Sequence, residues 1–239
     1  MKAPNDARSL EDDAPPWSER KQERSSSTPP SSAPAPLGIT ARGAVVMVPF
    51  PVPLTALSEV RSTLLLASVH ALRVAGYLDA YQARLDPQHR DAVLASVAGS
   101  WVPARVALAH YRACDALGLT SLEQMALGRQ TGNGLRHHLT RAVGVLSRGV
   151  GVSPWLVFEQ FDRFWARSFK GGGVSVVKHG PKEAEIVYAK CALLQSPYFR
   201  SALRGVALGL LEIVTRRSFM SEVSFTATRH EARYRLSWV

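Results

Sequence analysis

The spacing of apolar residues predicts helices over much of the chain. From Leu54 to about Val74, apolar side chains recur every three or four positions, which is the period of one helix face. Asp86 followed by Pro87 predicts another helix start, because Asp is a favoured N-cap residue and Pro suits the first helical position. Residues 50–169 are therefore predicted to be helical.

Two further capping signals lie in this stretch. Thr120 and Glu123 have the spacing of a capping box, in which each side chain accepts a hydrogen bond from the other residue's backbone N–H. Ser153 followed by Pro154 predicts the start of a helix that continues to Phe169.

The helix predicted over residues 154–169 carries one aromatic stripe. Its large residues recur mostly at spacings of three and four, and they are Trp155, Phe158, Phe161, Phe164, Trp165 and Phe169. In one interpretation the stripe lines a pocket for a small apolar ligand, and in the other it fills an ordinary core. Under both, the predicted lining residues are Phe161, Phe164 and Trp165, together with Trp101.

The pattern changes after Phe169. Gly171 to Gly173 predict a sharp turn into two short strands, VSVVK and EAEIVYAK, and an apolar helix begins at Pro197. Two strands end the chain, the last being ARYRLSWV, and residues 42–49 predict a first short strand or extended segment. The predicted fold class is α+β, with a helical N-terminal subdomain packed on a C-terminal ββαββ antiparallel sheet unit.

Small residues recur along one face of the helix that begins at Pro197. Ser201, Gly205 and Gly209 lie four positions apart and predict a groove that admits close packing. The groove is expected to contact the rest of the chain or a second copy in a homodimer.

Composition divides the chain into three predicted parts. Residues 1–40 are rich in Ser, Pro and mixed charge, and they are predicted to be disordered. Residues 41–169 form the predicted helical subdomain, and residues 170–239 form the predicted α+β subdomain. No uncharged apolar stretch of about 18 residues occurs, and no basic segment precedes an apolar run at the N-terminus, so neither a transmembrane helix nor a secretory signal is predicted. The two widely spaced cysteines predict a reducing, cytoplasmic location.

The net charge of +10 comes from the C-terminal half, where residues 128–239 carry 17 basic and 7 acidic side chains. This excess predicts a basic surface, which is either an ordinary solvated face or a site for anionic partners. The candidate residues are Arg136, Arg141, Arg163, Arg167, Lys170, Arg216 and Arg217. Nucleic-acid binding is therefore an alternative function, although the sequence has no recognisable nucleic-acid-binding motif.

Catalytic and metal-binding patterns are missing from the sequence. Cys114 and Cys191 are far apart, which predicts no disulfide framework, and no P-loop or G-x-S-x-G motif is present. The adjacent His137 and His138 would point about 100° apart on a helix and could not share one metal ion. No metal, cofactor or enzymatic activity is expected.

Several runs of the chain resemble an uncharacterised domain family of myxobacteria. These runs are RFWARSF, GGGVSVVKHGPKEAEI, PYFRSALRGVALGLLEIV and ARYRLSW, and the helical segment at 85–131 is also similar to that family. More distantly, the element order resembles heme nitric-oxide/oxygen-binding domains and the vinyl-reductase-like domains related to trafficking-complex subunits. The resemblance covers roughly residues 42–239.

The resemblance to the heme domains implies an iron-ligating histidine on the helix before the sheet. Trp165 stands at that place, and an indole offers an N–H but no lone pair for iron. The tyrosine–serine–arginine motif that holds the heme carboxylates in those domains is not matched by SPYFRSALRG, where Tyr198 and Arg200 have a different order. A heme-based gas sensor is therefore the second alternative.

The sequence leads to one main hypothesis. The protein is predicted to be a non-enzymatic sensory or scaffold module that binds a small apolar ligand or a protein partner, and that forms a homodimer.

Overall fold

Two antiparallel sheets and the helices packed on them form the part of the protein that the computed structural model describes, residues 43–132 and 153–239. In chain order the elements are β1 (Val45–Val48), β2 (Glu59–Arg61), α1 (Ser62–Val74), α2 (Leu78–Arg84), α3 (Pro87–Leu94), β3 (Trp101–Pro103), α4 (Ala104–Asp115), α5 (described over 121–132), α6 (Pro154–Phe158), α7 (Phe161–Ser168), β4 (Phe169–Lys170), β5 (Gly173–Gly180), β6 (Glu183–Ala189), α8 (Pro197–Leu211), β7 (Ser218–Thr226) and β8 (Glu231–Trp238).

The larger sheet has five strands in the order β1-β5-β6-β8-β7, and every neighbouring pair is antiparallel. Strands β5 and β6 precede α8 in the chain, and β7 and β8 follow it. This is the predicted ββαββ order, and it confirms the α+β class. The segment predicted at 42–49 forms β1 and joins this sheet by pairing with β5. The predicted domain boundary after residue 169 stays a prediction, since the described residues all belong to one compact unit.

Strand β8 shows why the sheet forms where it does. Ala232, Tyr234, Leu236 and Trp238 are buried, and the residues between them are exposed, so one face of the strand covers the core. On the outer face, Arg235 pairs with Glu183 at 2.6 Å and Arg233 pairs with Glu185 at 3.1 Å. Such cross-strand pairs of opposite charge stabilise the sheet.

A small second sheet has the strand order β3-β2-β4. It shows that the helix predicted from Leu54 was wrong in its first part. Residues 59–61 form the central strand, and the helix begins only at Ser62. Val60 is fully buried and pairs with Val102 on one side and with Phe169 on the other. Partners distant in the chain therefore override the local helical period.

The predicted caps are confirmed. The Asp86 side chain accepts a hydrogen bond from the Gln88 backbone N–H at 2.9 Å. Glu123 accepts from the Thr120 backbone N–H at 2.7 Å, and Thr120 accepts in return from the Glu123 N–H at 3.3 Å. These side chains satisfy N–H groups that have no partner within the helix.

The aromatic helix is two helices, which corrects the single helix predicted over 154–169. Helix α6 ends at Phe158 and α7 begins at Phe161. Neither intervening residue is Gly or Pro, so the sequence carries no break signal there. Tertiary packing accounts for the break: Phe158 contacts Trp238 of the last strand, and Trp165 stacks on Phe169.

Helices α5 and α8 approach each other at two glycines. A Cβ at Gly205 would clash with the Met125 carbonyl of α5, and a Cβ at Gly128 would clash with the Ala202 carbonyl of α8. The small-residue face predicted for α8 therefore packs against this chain at Gly205.

No helix within residues 43–132 and 153–239 has the length and apolar character needed to cross a bilayer.

We predict that Gly205→Ala lowers the free energy of unfolding by about 1–3 kcal/mol, because the added methyl group overpacks the contact with Met125. Urea denaturation measures this change. Ser201→Ala is the matched control, since it places the same residue one turn earlier on α8 and adds no atom. Equal stability of Gly205→Ala and the wild type would show that the two helices do not pack this closely.

Candidate ligand-binding cavity

A small cavity lies where the helices meet the larger sheet. Its volume is about 90 Å³, and the described residues that line it come from α1, α4, α5, α7, α8 and the strands β4, β5 and β6. The lining is mostly apolar. The cavity is smaller than the pockets of roughly 300–1,000 Å³ that take drug-sized ligands.

Helix α7 forms the aromatic wall of this cavity. The structure brings together the predicted residues Phe161, Phe164 and Trp165, all of which line it. Trp165 is held on two sides: its Nε1 donates to the Gly171 carbonyl at 3.1 Å, and its ring stacks on Phe169 at 4.2 Å. Trp165 is therefore a constrained part of this wall.

Trp101 lies elsewhere. It is on β3, and it is not among the described residues that line the cavity. The Arg61 guanidinium lies 4.0 Å from the centre of its ring and the Lys170 ammonium lies 4.6 Å away. This geometry is that of cation–π contacts.

Helix α8 contributes lining residues that the sequence analysis did not predict, among them Ala202, Leu203, Val206 and Ala207. The cavity exists partly because two of these side chains are single methyl groups. Gly205 lies on the face of α8 that packs against α5. The sequence signal that could have predicted the lining residues of α8 was the pair of alanines, Ala202 and Ala207, that lie between the small residues.

The polar residues on the cavity lining include Ser68, Tyr111, Thr131 and Tyr188. Burial, reinforced by the nearby Cys114 thiol, raises the pKa of Tyr111 well above its ordinary value. Burial also raises the pKa of Tyr188, with a smaller contribution from Cys191. Both side chains are therefore neutral phenols over the whole physiological pH range.

A buried hydrogen-bond chain runs behind the cavity. The Tyr81 hydroxyl lies 2.6 Å from His110 Nδ1, and His110 Nε2 lies 3.0 Å from the Ser68 hydroxyl. Burial lowers the pKa of His110 to about 3, so the imidazole is neutral. We assign the Tyr81 O–H as the donor to Nδ1, which leaves the Nε2–H to donate to Ser68.

Sequence reasoning did not find this chain, because its members are 29 and 42 positions apart. Only the fold brings Tyr81 and Ser68 to His110.

The predicted basic residues are distributed over several elements. Arg163 and Arg167 on α7 are exposed, and Lys170 forms an ion pair with Glu59. Arg216 and Arg217 are exposed near the chain end, where their backbone N–H groups bond to the Val239 carbonyl. Arg136 and Arg141 lie outside the described residues, as do His137 and His138.

The described part of the chain contains no group of three or more His, Cys, Asp or Glu side chains that could hold a metal ion. Cys114 and Cys191 are free and buried. Burial raises the pKa of Cys191 to about 12, so it is a thiol and not a reactive thiolate at neutral pH.

Solved structures with a similar fold are H-NOX (heme nitric-oxide/oxygen-binding) proteins. An Fe(II) unliganded H-NOX protein from K. algicida has a TM-score of 0.53 and 6% identity, covering 75% of this chain and 96% of that one. A Cs H-NOX mutant carrying 4-cyano-L-phenylalanine has a TM-score of 0.51 and 11% identity, covering 74% and 96%. An H-NOX structure from a study of heme distortion has a TM-score of 0.50 and 10% identity, covering 74% and 94%.

At these identities the likeness shows a shared fold. The distant similarity to heme nitric-oxide/oxygen-binding domains is thus confirmed at the level of fold, and the myxobacterial and vinyl-reductase-like resemblances stay predictions. No protein-family profile matches the chain, and no curated protein matches its sequence.

We predict that His110 makes the protein less stable in acid. Its folded pKa is about 3, below the ordinary value of 6.5, so the unfolded chain takes up a proton between these values and the folded protein does not. The free energy of unfolding should therefore fall as pH drops below about 6.5, by up to about 1.4 kcal/mol per pH unit.

Urea denaturation between about pH 7 and about pH 5 tests this linkage. We expect His110→Gln to lose about 2 kcal/mol less than the wild type over that range. His70→Gln is the control variant, since it makes the same substitution at an exposed position. The same pH dependence in His110→Gln and the wild type would contradict the prediction.

Proposed function

We propose that this protein is a non-enzymatic sensory module that binds a small, mostly apolar molecule in the cavity between α7 and α8. The observation that carries the proposal is the cavity itself, an apolar space with a constrained aromatic wall where helices and sheet meet. Mostly apolar cavities accept apolar guests.

The volume limits the size of the ligand. An engineered apolar cavity of about 150 Å³ holds benzene or xenon, so 90 Å³ suits a molecule of roughly three to five non-hydrogen atoms. Small ligands gain at most about 1.5 kcal/mol per non-hydrogen atom. For four such atoms the dissociation constant is at best on the order of tens of micromolar.

The position of the cavity supports a sensory role. Trp165 belongs to the element just before the sheet, Tyr188 lies within the sheet, and Val206 lies on the helix that packs on it. A ligand there contacts three elements at once and stabilises the arrangement in which they meet. Recognition of this arrangement by a protein partner or by a second copy of the chain stays a prediction.

Xenon binding tests the proposal, because xenon binds in apolar cavities and forms no specific hydrogen bond. We expect saturable shifts of the Leu203 and Val206 methyl signals in ¹³C-methyl NMR under xenon pressure. Ala207→Leu should abolish these shifts, since its added carbons occupy the cavity.

Ala80→Leu is the matched control. It makes the same change on the exposed face of α2 and should leave xenon binding unchanged. Absence of methyl shifts in the wild type would overturn the proposal.

Heme binding is the second candidate, and the H-NOX fold of the structural neighbours is the observation that favours it. The described lining residues fit a heme poorly. They include no histidine, cysteine or methionine to ligate iron, and their tyrosines Tyr111 and Tyr188 are neutral phenols, not iron-binding phenolates. The space of about 90 Å³ is also far below that of a pocket for a large cofactor.

Hemin titration distinguishes the two candidates. Wild-type protein is expected to give no sharp Soret band, because Trp165 stands where the resemblance places the iron ligand. Trp165→His is the comparison variant, since it supplies an imidazole and removes the bulk of the indole. A sharp band at one hemin per wild-type chain would favour the heme sensor over the apolar cavity.

Binding to nucleic acid or another polyanion stays an alternative. The exposed Arg163 and Arg167 on α7 support it. The ion pairs of Lys170, Arg233 and Arg235 with acidic residues weaken it, because they reduce the charge left for phosphate contacts.

A further inference from the structure

Two tyrosine hydroxyls on the cavity lining lack hydrogen-bond partners. Tyr111 is 5% exposed and Tyr188 is 4% exposed, and both line the cavity. Within residues 43–132 and 153–239, the structure gives neither hydroxyl a hydrogen bond. Neither hydroxyl belongs to the fully enclosed polar atoms without a partner, a group that includes the Tyr234 hydroxyl.

Two other hydroxyls on the same lining are satisfied. Thr131 donates to the Leu127 carbonyl at 3.0 Å, and Ser68 accepts from His110 at 3.0 Å. An apolar guest leaves the Tyr111 and Tyr188 hydroxyls without a hydrogen-bond partner, which costs free energy, whereas a ligand atom that accepts from one of them supplies the partner.

The charge state of the cavity limits the ligand further. Both phenols keep their protons, so they offer O–H donors. The described lining contains no Lys or Arg, and an ionised ligand would lose its hydration without gaining a counter-charge. The ligand that fits is therefore neutral.

We propose that the cavity takes small neutral oxygenated molecules, such as short ketones, aldehydes or esters, whose oxygen accepts a hydrogen bond from Tyr111 or Tyr188. The apolar part of the ligand lies against Phe161, Trp165 and Val206. This inference rests on the proposed function and names its ligand class.

Acetone and isobutene are the probes. They have nearly the same shape, but acetone carries an oxygen where isobutene carries a methylene group. Their affinities are measured by ¹³C-methyl NMR titration of the full chain. The variant is the double substitution Tyr111→Phe and Tyr188→Phe, which removes both hydroxyls and keeps both rings. It should fold normally, since neither hydroxyl has a partner to lose.

We expect the double variant to bind acetone about tenfold more weakly than the wild type and to bind isobutene within about twofold of the wild type. Tyr234→Phe is the matched control. It removes a buried hydroxyl outside the cavity lining and should change neither affinity.

Two results would overturn the ligand class and keep the cavity's function. One is an equal effect of the double variant on both probes, and the other is wild-type binding of xenon without binding of acetone. If xenon, acetone and isobutene all fail to bind, both the proposed ligand class and the proposed function are wrong.

Discussion

The close contact between α5 and α8 is the constraint on which the rest of the structure depends. Gly128 and Gly205 each leave room for a carbonyl of the other helix, so the two backbones approach where any larger residue would separate them. This approach fixes the position of α8 relative to the helices. Ala202 and Val206 consequently lie along the cavity, and the rest of the buried face of α8 covers the sheet.

The cavity remains open because its walls are held from behind. Trp165 is fixed by its hydrogen bond to Gly171 and by its stack on Phe169, so it does not turn inward. On the other side, Ser68 is held by the neutral His110 and through it by Tyr81. Side chains with satisfied polar groups and close neighbours do not relax easily into a small void.

Much of the fold was predictable from short-range patterns. The alternation in β8, the Thr120–Glu123 capping box and the Asp86 cap each act within a few residues, and each is present in the structure. Part of the cavity was predictable as well, because the aromatic stripe of α7 includes Phe161, Phe164 and Trp165. Trp101 was predicted to line the cavity and lies elsewhere, since its place on β3 depends on pairing with β2.

The sequence by itself determined the α+β class, the order of the C-terminal elements and the apolar face of each, because periodicity and capping are local properties of the chain. The tertiary structure decided the break between α6 and α7, the small sheet around Val60 and the neighbours of Gly205. It also decided which polar groups border the cavity, since Tyr111 and Tyr188 meet there from a helix and a strand far apart in the chain. Such meetings depend on the packing of whole elements, and no local pattern encodes them.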